Sequence, residues 1–488
     1  MKKHSIKHLI TIFALLFLLS FSVFAKESAV WDGTIADGFA GGTGSETDPY
    51  IIKTAEQLAY FSHSISSGIT CYVDKYIRLE NDIVLNDTSN PNWISNAKAF
   101  EPIGNSASIE LTINNADEFD KAANTFGTLM YPKRDFYFNV YYSHTENFVE
   151  GVTTYYCTAA FYGVFDGAGH YVKGLYIPSK DSSIGLFGRS EGTIMNVGVI
   201  DSHIEGHSDV GSVVGTNYSQ VLNCFSRDSY IFGNGNVGGI VGYSSSSIEI
   251  CGCYNTSTVQ ARGVAGGITG NGHVINSYNA GTVTGTYDPV GGIAGFGNIK
   301  YCYNVGLVTG QGFTGAILGH CTDLRPEYCY YLEHSASDLI GSVDYYGVGG
   351  YFNNQAVGDT IDQTTVLNKE QMQTLASYSG FDFKVYWKMD TGEYLYPVLK
   401  VNNRVITPAV SETEDEPSSP ADDDDAPIFP NPFDDEYLSD NDEDDSPKKK
   451  HHYNDDDDTG SIGPWIVISA IALCIIVVII VSRTKKKK

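Results

Sequence analysis

A short apolar phrase that contains two glycines or more recurs six times between Ser183 and Cys329. The phrases end at glycines that are 24 to 28 residues apart. These closing glycines are Gly188, Gly215, Gly242, Gly270, Gly295 and Gly319. A period of this length indicates a solenoid, in which each repeat forms one coil that packs on the next.

Each repeat contains two or three short runs rich in Val, Ile, Tyr and Thr, separated by Gly, Asn and Ser. Such runs are typical of β-strands joined by turns. No amphipathic helical stretch fits between them, which excludes strand–helix repeats, and a propeller blade needs about 40 residues. The sequence therefore predicts an all-β fold, a parallel β-helix whose coils stack about 4.8 Å apart.

Equivalent positions in successive coils should form columns. One predicted buried column consists of Ile240, Ile268, Ile293 and Ile317. A structural ladder of small residues consists of Cys224, Cys253, Ser277, Cys302 and Cys329. An aromatic column follows it directly, with Phe225, Tyr254, Tyr278, Tyr303 and Tyr330. The closing glycines are predicted to occupy turns with positive φ and to permit close approach of the coils.

Two of these columns leave alternatives open. The cysteines are favoured as free buried thiols, but Cys224–Cys253 and Cys302–Cys329 could form disulfides in an oxidising compartment. The aromatic column is favoured as core or corner, against an exposed strip that contacts a glycan or a protein. The cysteines lack the paired C-x-x-C spacing of a structural zinc site.

The phrases VGGIVG and VGGIAG, with the C-Y-N segments that follow, resemble the GLUG-motif repeats of cell-surface and secreted proteins. The flanking sequence resembles the lead-in and the closing element of such domains at 43–65, 75–85, 101–105, 161–177 and 381–400. The resemblance covers about residues 31–400, interrupted by a Phe- and Tyr-rich insertion that we predict to be a hairpin or lobe. It implies a β-helix fold and a surface location, and it implies no catalytic residue.

The two ends of the chain predict a membrane-anchored protein. Three lysines, an apolar run through Leu19 and a cleavage site after Ala25 form a predicted signal peptide. An uncharged apolar run, Trp465 to Val481, is long enough to span a bilayer, and the basic residues after it favour the cytoplasm. The N-terminal domain is therefore predicted to be extracellular on a single-pass protein of the cell membrane.

The predicted domains follow from these segments and from composition. Residues 408–462 hold 20 acidic residues and three lysines, so this stretch should be a disordered, extended stalk. The full organisation is a signal peptide (1–25), an N-terminal cap with the first coils (26–105), the insertion (106–160), the GLUG-like repeats (161–335), a C-terminal capping segment (336–407), the stalk (408–462), the transmembrane helix (464–482) and a basic tail (483–488).

Two short helices are predicted to cover the open sheet edges at the ends of the solenoid. The first should begin with a capping box at Thr54 and Gln57 and bury Leu58, Phe61 and Ile65. The second should begin at Asn368, with Met372 and Leu375 pointing inward. Both are interpreted as structural caps.

The stretch with the clearest chemical potential is Asp201 to Asp209. Alternation places Asp201, His203, Glu205 and His207 on one face of a strand. These side chains could bind a metal ion or act as an acid and base, or they could form a solvated outer face with Ile204 inward. Acidic clusters on β-helix walls can also hold Ca²⁺ for polysaccharide lyase chemistry.

No cofactor is predicted. The aspartate runs 422–425, 440–445 and 455–458 could hold Ca²⁺ weakly, but they lack the twelve-residue pattern of an EF-hand. The net charge of −27 argues against nucleic acid as a partner. It leaves an extracellular glycan or protein ligand, and the membrane contacted through the C-terminal helix.

Three functions remain open at this point. We favour surface recognition or adhesion, because a rod on a stalk displays a long surface and no catalytic constellation stands out. A polysaccharide hydrolase or lyase is the alternative, and it rests on fold analogy alone. A passive structural component of the cell surface is the third.

Overall fold

The repeats fold into a parallel β-solenoid, in which the chain passes in turn through four sheets, here named A to D. The computed structural model describes residues 30–400, apart from 128, 134–139, 144–147, 149–152, 246, 288, 322–325, 337, 344–363 and 393. Successive coils pair in parallel in all four sheets. The β-solenoid predicted from the repeats is confirmed.

Sheets A and B begin each coil. The strands of sheet A are Tyr50–Ile52, Tyr76–Leu79, Val164–Asp166, Thr193–Met195, Val221–Leu222, Glu249–Cys251, His273–Ile275 and Ile299–Lys300. The strands of sheet B are Ile83–Val84, Tyr171–Lys173, Gly198–Ile200, Phe225–Arg227, Tyr254–Asn255, Tyr278–Asn279, Tyr303–Asn304, Cys329–Leu332 and Thr364–Leu367.

Sheets C and D complete the coil. The strands of sheet C are Tyr176–Pro178, His203–Glu205, Tyr230–Gly233, Thr258–Ala261, Val283–Gly285 and Val308–Gly310. The strands of sheet D, where the repeated phrases lie, are Phe187–Ser190, Val210–Gly211, Val214–Asn217, Val237–Gly238, Val241–Ser244, Ala265–Gly266, Thr269–Asn271, Val290–Gly291, Ala294–Phe296, Thr314–Cys321 and Asp338–Val343.

Inward-pointing side chains of the four sheets fill the interior of the solenoid. The predicted isoleucine column lies in this core, and none of its four members is exposed to solvent. The ladder of small residues is equally buried, and its four cysteines carry thiols and form no disulfide. The Cys253 N–H donates to Ser277 Oγ at 3.0 Å, and the Cys224 N–H approaches the Cys253 sulfur at 3.4 Å. Ser277 thus takes the place of a sulfur in the ladder.

The prediction of positive φ at the closing glycines is wrong. None of them adopts positive φ. They lie in sheet D, packed against the preceding coil. A Cβ added at Gly242 would lie 2.3 Å from the backbone carbon of Asp209, so close approach alone requires glycine there. Positive φ occurs instead at the turn between sheets A and B, in Asn196, Asn223, Gly252, Asn276, Tyr301 and Tyr328.

The aromatic column lies on the outer face of sheet B, because it alternates with the inward ladder of small residues. Its rings stack with centroid separations of 5.2, 5.1 and 4.9 Å from Phe225 to Tyr303. The C-terminal segment covers it, and the fully buried Trp387 ring lies 5.8 Å from the Tyr303 ring. The predicted core position is confirmed, in a cluster separate from the solenoid interior.

The first predicted capping helix is confirmed as Ala55–Ser66, and its predicted apolar residues are fully buried. Its capping box is wrong, because the Thr54 side chain makes no hydrogen bond to the helix. The Gln57 side chain instead accepts the backbone N–H of Lys53 at 2.8 Å. The helix start is therefore stabilised from one side only.

The second predicted helix is confirmed as Lys369–Met372, and a complete capping box begins at Asn368. Met372 is fully buried, as predicted. The inward orientation of Leu375 is wrong, since 55% of this residue is exposed. The reason is that the helix ends after one turn and the chain continues as the 3₁₀ helix Leu375–Ser377.

The range predicted as an insertion contains an antiparallel sheet and the helix Ala116–Phe126. The strands of this sheet are Ser108–Thr112, Met130–Lys133, Val140–Ser143 and Thr154–Thr158. Two further strands near the C-terminal end, Trp387–Met389 and Pro397–Leu399, form an antiparallel pair. The lobe has its own small core around Phe119 and Tyr155.

No helix within the described residues is long and apolar enough to cross a membrane. The predicted signal peptide, stalk, transmembrane helix and basic tail lie outside those residues, as do the three aspartate runs.

Candidate functional site

The turn between sheets B and C changes its form part-way along the solenoid. In the N-terminal coils it contains a residue with positive φ, which is Gly174, Asp201 or Asp228. In the next coil the turn is one residue shorter. From there on it is stabilised by buried asparagine side chains that hydrogen-bond to one another at 2.8 Å, namely Asn255, Asn279 and Asn304. The two aspartates therefore lie just before the change of turn.

An open groove with a volume of about 580 Å³ lies over this position. One wall is the loop 86–98, which the Asn86 side chain closes by donating to the carbonyl oxygens of Lys98 and Gly174 at 3.0 and 2.8 Å. This loop contains the 3₁₀ helix Trp93–Asn96 and places Trp93 in the groove lining. The opposite wall is formed by sheet C and the turns that precede its strands.

Each aspartate of the groove lies beside a cation. The Lys173 ammonium is 3.1 Å from the Asp201 carboxylate, and the Arg227 Nε is 3.0 Å from the Asp228 carboxylate. The side chains of Asp201 and Asp228 are 30% and 53% exposed, respectively. A carboxylate has about four acceptor sites, so both retain capacity to accept hydrogen bonds from a ligand.

Aromatic rings continue from the loop onto the outer face of sheet C. The Trp93 and Tyr176 ring centroids are 6.1 Å apart, and His203 lies between Tyr176 and Tyr230 at 5.9 and 5.1 Å. The His203 Nε2 atom is 2.7 Å from the Glu205 carboxylate, which fixes the orientation of the imidazole. The groove is thus bordered by ring faces and by oxygen acceptors.

The four residues predicted to share a strand face do not form one cluster. The strand covers only His203–Glu205, with Ile204 fully buried, so the predicted alternation holds for its two ends. Asp201 lies in the preceding turn and lines the groove. His207 lies in an exposed bend beyond the strand. Among the described residues, no group of three His, Cys, Asp or Glu side chains could hold a metal ion.

The groove also contains a hydroxyl group without a partner. The Oγ1 atom of Thr256 is buried and makes no hydrogen bond, and Thr256 belongs to the groove lining. Buried polar atoms are almost always paired, so an unpaired one in a groove indicates a position where a ligand can complete the bonding. Thr256 replaces Arg227 of the coil above in the register of sheet B.

The sequence alone does not reveal the groove, because its two walls are far apart in the chain. The loop 86–98 precedes Asp201 by about a hundred residues and belongs to another coil. The available signal was Trp93, an aromatic residue in a segment that is otherwise polar and rich in Asn, Ser and Pro. Such a residue on a surface loop is a better indication of binding than of core packing.

Comparisons with known proteins leave the function open. A crystal structure of a "putative immunoglobulin A1 protease" from Bacteroides ovatus has a TM-score of 0.47 with this chain and 20% identity, over 74% of this chain and 95% of that one. No activity carries over at this level of similarity. No protein-family model and no curated protein sequence matches the chain, so the GLUG resemblance remains an interpretation of the repeats.

Proposed function

We propose that this protein is a surface recognition protein that binds an uncharged glycan in the groove between the loop 86–98 and sheet C. The observation that supports this most is the combination of Trp93 and Tyr230 with Asp201, Asp228 and the unpaired Thr256 hydroxyl around one open groove. Ring faces offer flat apolar surface to the C–H face of a sugar, and the oxygen atoms accept its hydroxyl protons.

Charge favours an uncharged glycan over an acidic one. The groove and the adjoining strand carry three carboxylates, those of Asp201, Asp228 and Glu205, against the two cations of Lys173 and Arg227, so the local charge is negative. The chain as a whole carries a net charge of −27. An acidic polysaccharide would be repelled by the carboxylates of the groove at short range and by the net charge of the chain at long range.

The proposed location agrees with this role. A signal peptide, an acidic stalk and one transmembrane helix would hold the solenoid outside the cell and away from the bilayer. In that position the groove would face ligands in the surroundings or on other cells. Retention of a glycan there amounts to adhesion.

One observation supports glycan cleavage as the second candidate. Asp201 and Asp228 occupy equivalent turns of neighbouring coils, so their backbones are about 4.8 Å apart. Retaining glycosidases place two carboxyl groups about 5 Å apart. Against this candidate, each aspartate is already paired with a cation.

Replacing Trp93 by alanine should weaken retention of immobilised neutral polysaccharides by about tenfold or more, because a buried aromatic anchor is worth about 1.4 kcal/mol or more at an interface. The full-length protein and the variant would be compared on neutral and acidic polysaccharides. The control is Tyr287→Ala, which removes an aromatic residue that is 67% exposed outside the groove lining.

The same samples would be assayed for new reducing or unsaturated sugar ends. Their release would favour the enzyme over the binding protein. Stronger retention on acidic than on neutral polysaccharides would overturn the proposed ligand class. If neither retention nor release occurs, a passive structural component becomes the better explanation.

A further inference from the structure

We infer that the ligand is a linear polymer that leaves the groove and lies along the outer face of sheet C, parallel to the solenoid axis. This inference rests on the proposed function and specifies its substrate class, since a short or terminal sugar would need the groove alone. The inference is supported by the outward residues of the sheet C strands that follow the groove toward the C-terminus.

The groove lining is continuous with the outer face of these strands. Thr258 belongs both to the groove lining and to the strand Thr258–Ala261. In that strand the outward residues are Thr258 and Gln260, while Val259 is fully buried between them. Gln260 is joined to the groove wall because its Oε1 accepts the Tyr230 hydroxyl at 2.9 Å.

The next two strands repeat the same kind of outward group. Thr284 and Thr309 occupy the register position of Gln260 in the following coils, and their hydroxyl oxygens are 3.1 Å apart. One hydroxyl or amide is therefore presented per coil, at a repeat of about 4.8 Å. A hexose unit in an extended chain advances by a similar distance, so successive sugars can meet successive coils.

The chemistry of this surface differs from that of another solvated face of the same solenoid. The three C-terminal strands of sheet C carry no charged residue, and their outward side chains are Thr and Gln. In sheet A, by contrast, Glu249 and Lys300 occupy the partly or fully exposed strand positions. Uncharged donors and acceptors in a regular row match an uncharged polyhydroxyl chain.

The aromatic part of the face lies beside the row, two residues earlier in each strand, since the row itself continues from Gln260 to Phe232 and Glu205. Toward the N-terminus the register position of Thr258 is taken by Tyr230, His203 and Tyr176. The face therefore offers ring stacking at one end and hydrogen bonds at the other, over six coils. A chain that occupies the groove can reach the polar row at Gln260, which the Tyr230 hydroxyl joins to the aromatic column.

The test measures the dissociation constants of the full-length protein for neutral linear oligosaccharides of glucose, mannose and xylose, each as a series from two to six units. The inference predicts that affinity for one series rises with every added unit up to at least five. The double variant Thr284→Val and Thr309→Val should weaken binding of the six-unit member by about fivefold or more and leave the two-unit member unchanged. Valine retains β-branching, so the fold is preserved.

The control is Thr193→Val on sheet A, which should change neither value. Equal affinity for two and six units, or an unchanged six-unit affinity in the double variant, would overturn the polymer inference and leave groove binding intact. Failure of every series to bind would contradict both the inference and the proposed function. Affinity that rises with oligosaccharide length, and that weakens for the six-unit member only in the double variant, supports both.

Discussion

Replacing Gly242 by alanine should lower the free energy of unfolding by about 3 kcal/mol or more. The added Cβ would lie 2.3 Å from the carbonyl carbon of Asp209 and from the amide nitrogen of Val210, both in the coil above. These are backbone atoms in a stacked sheet, so neither can move aside without parting two coils. Denaturant unfolding followed by circular dichroism would measure the change.

The matched control for this prediction is Gly38→Ala. A Cβ at Gly38 meets no atom within 4 Å, and Gly38 does not adopt positive φ. This variant should change the free energy of unfolding by less than about 0.5 kcal/mol. Equal effects of the two substitutions would mean that the closing glycines are not set by close approach of the coils.

Alkaline pH should unfold the protein cooperatively, starting above about pH 10. Burial is the main cause that raises the pKa of the tyrosines in the aromatic column and its cover, and it raises the pKa of Tyr330 to about 12. The affected tyrosines are Tyr254, Tyr278, Tyr303, Tyr330, Tyr378 and Tyr394. Their stabilising contribution is complete below the unfolded value near 10 and is lost as pH rises toward the folded values.

Each such tyrosine contributes about 1.4 kcal/mol per pH unit to the slope, so several together give a steep loss of stability. The measurement is denaturant unfolding between pH 7 and 12, with tyrosinate absorbance followed in parallel. Tyr278→Phe should reduce the slope by the share of one proton, and the exposed Tyr287→Phe should leave it unchanged. A slope that is flat up to pH 12 would show that the column is not buried.

The fold was largely predictable from the sequence because each coil buries the same kinds of residue at equivalent positions. The isoleucine column and the ladder of small residues could be located from spacing alone, since every coil uses the same inward positions. The cover over Tyr278 and Tyr303 could be predicted only as a burial preference. The residues that cover them, such as Trp387, lie outside the repeat and leave no periodic signal.

The candidate site was predictable only in part. Asp201 and His203 were identified by their residue types, but their surroundings depend on a loop from another coil and on a turn that changes length. The predicted common face is wrong because Asp201 has positive φ and lies in a turn. This turn separates the sheet B strand that ends at Ile200 from the sheet C strand that begins at His203. The candidate site thus lies where the chain departs from the repeat.

The double variant Asp201→Gly and Asp228→Gly would show whether glycan binding depends on the groove. Glycine occupies the same turn position at Gly174, and it accepts positive φ without the cost of about 1 kcal/mol that an L-residue bears. Loss of the two partly exposed ion pairs costs about 1 kcal/mol each, which the relief of positive φ at the two positions offsets, so stability should be nearly unchanged. Asn223→Gly, which follows the precedent of Gly252 in another turn, serves as the control.

The measurement is the dissociation constant for an immobilised neutral polysaccharide, taken together with the unfolding midpoint, for the full-length protein and both variants. The double variant should bind at least tenfold more weakly, Asn223→Gly should bind as the unmodified protein does, and all three proteins should have similar midpoints. Full binding by a folded double variant would contradict the groove as the site of recognition.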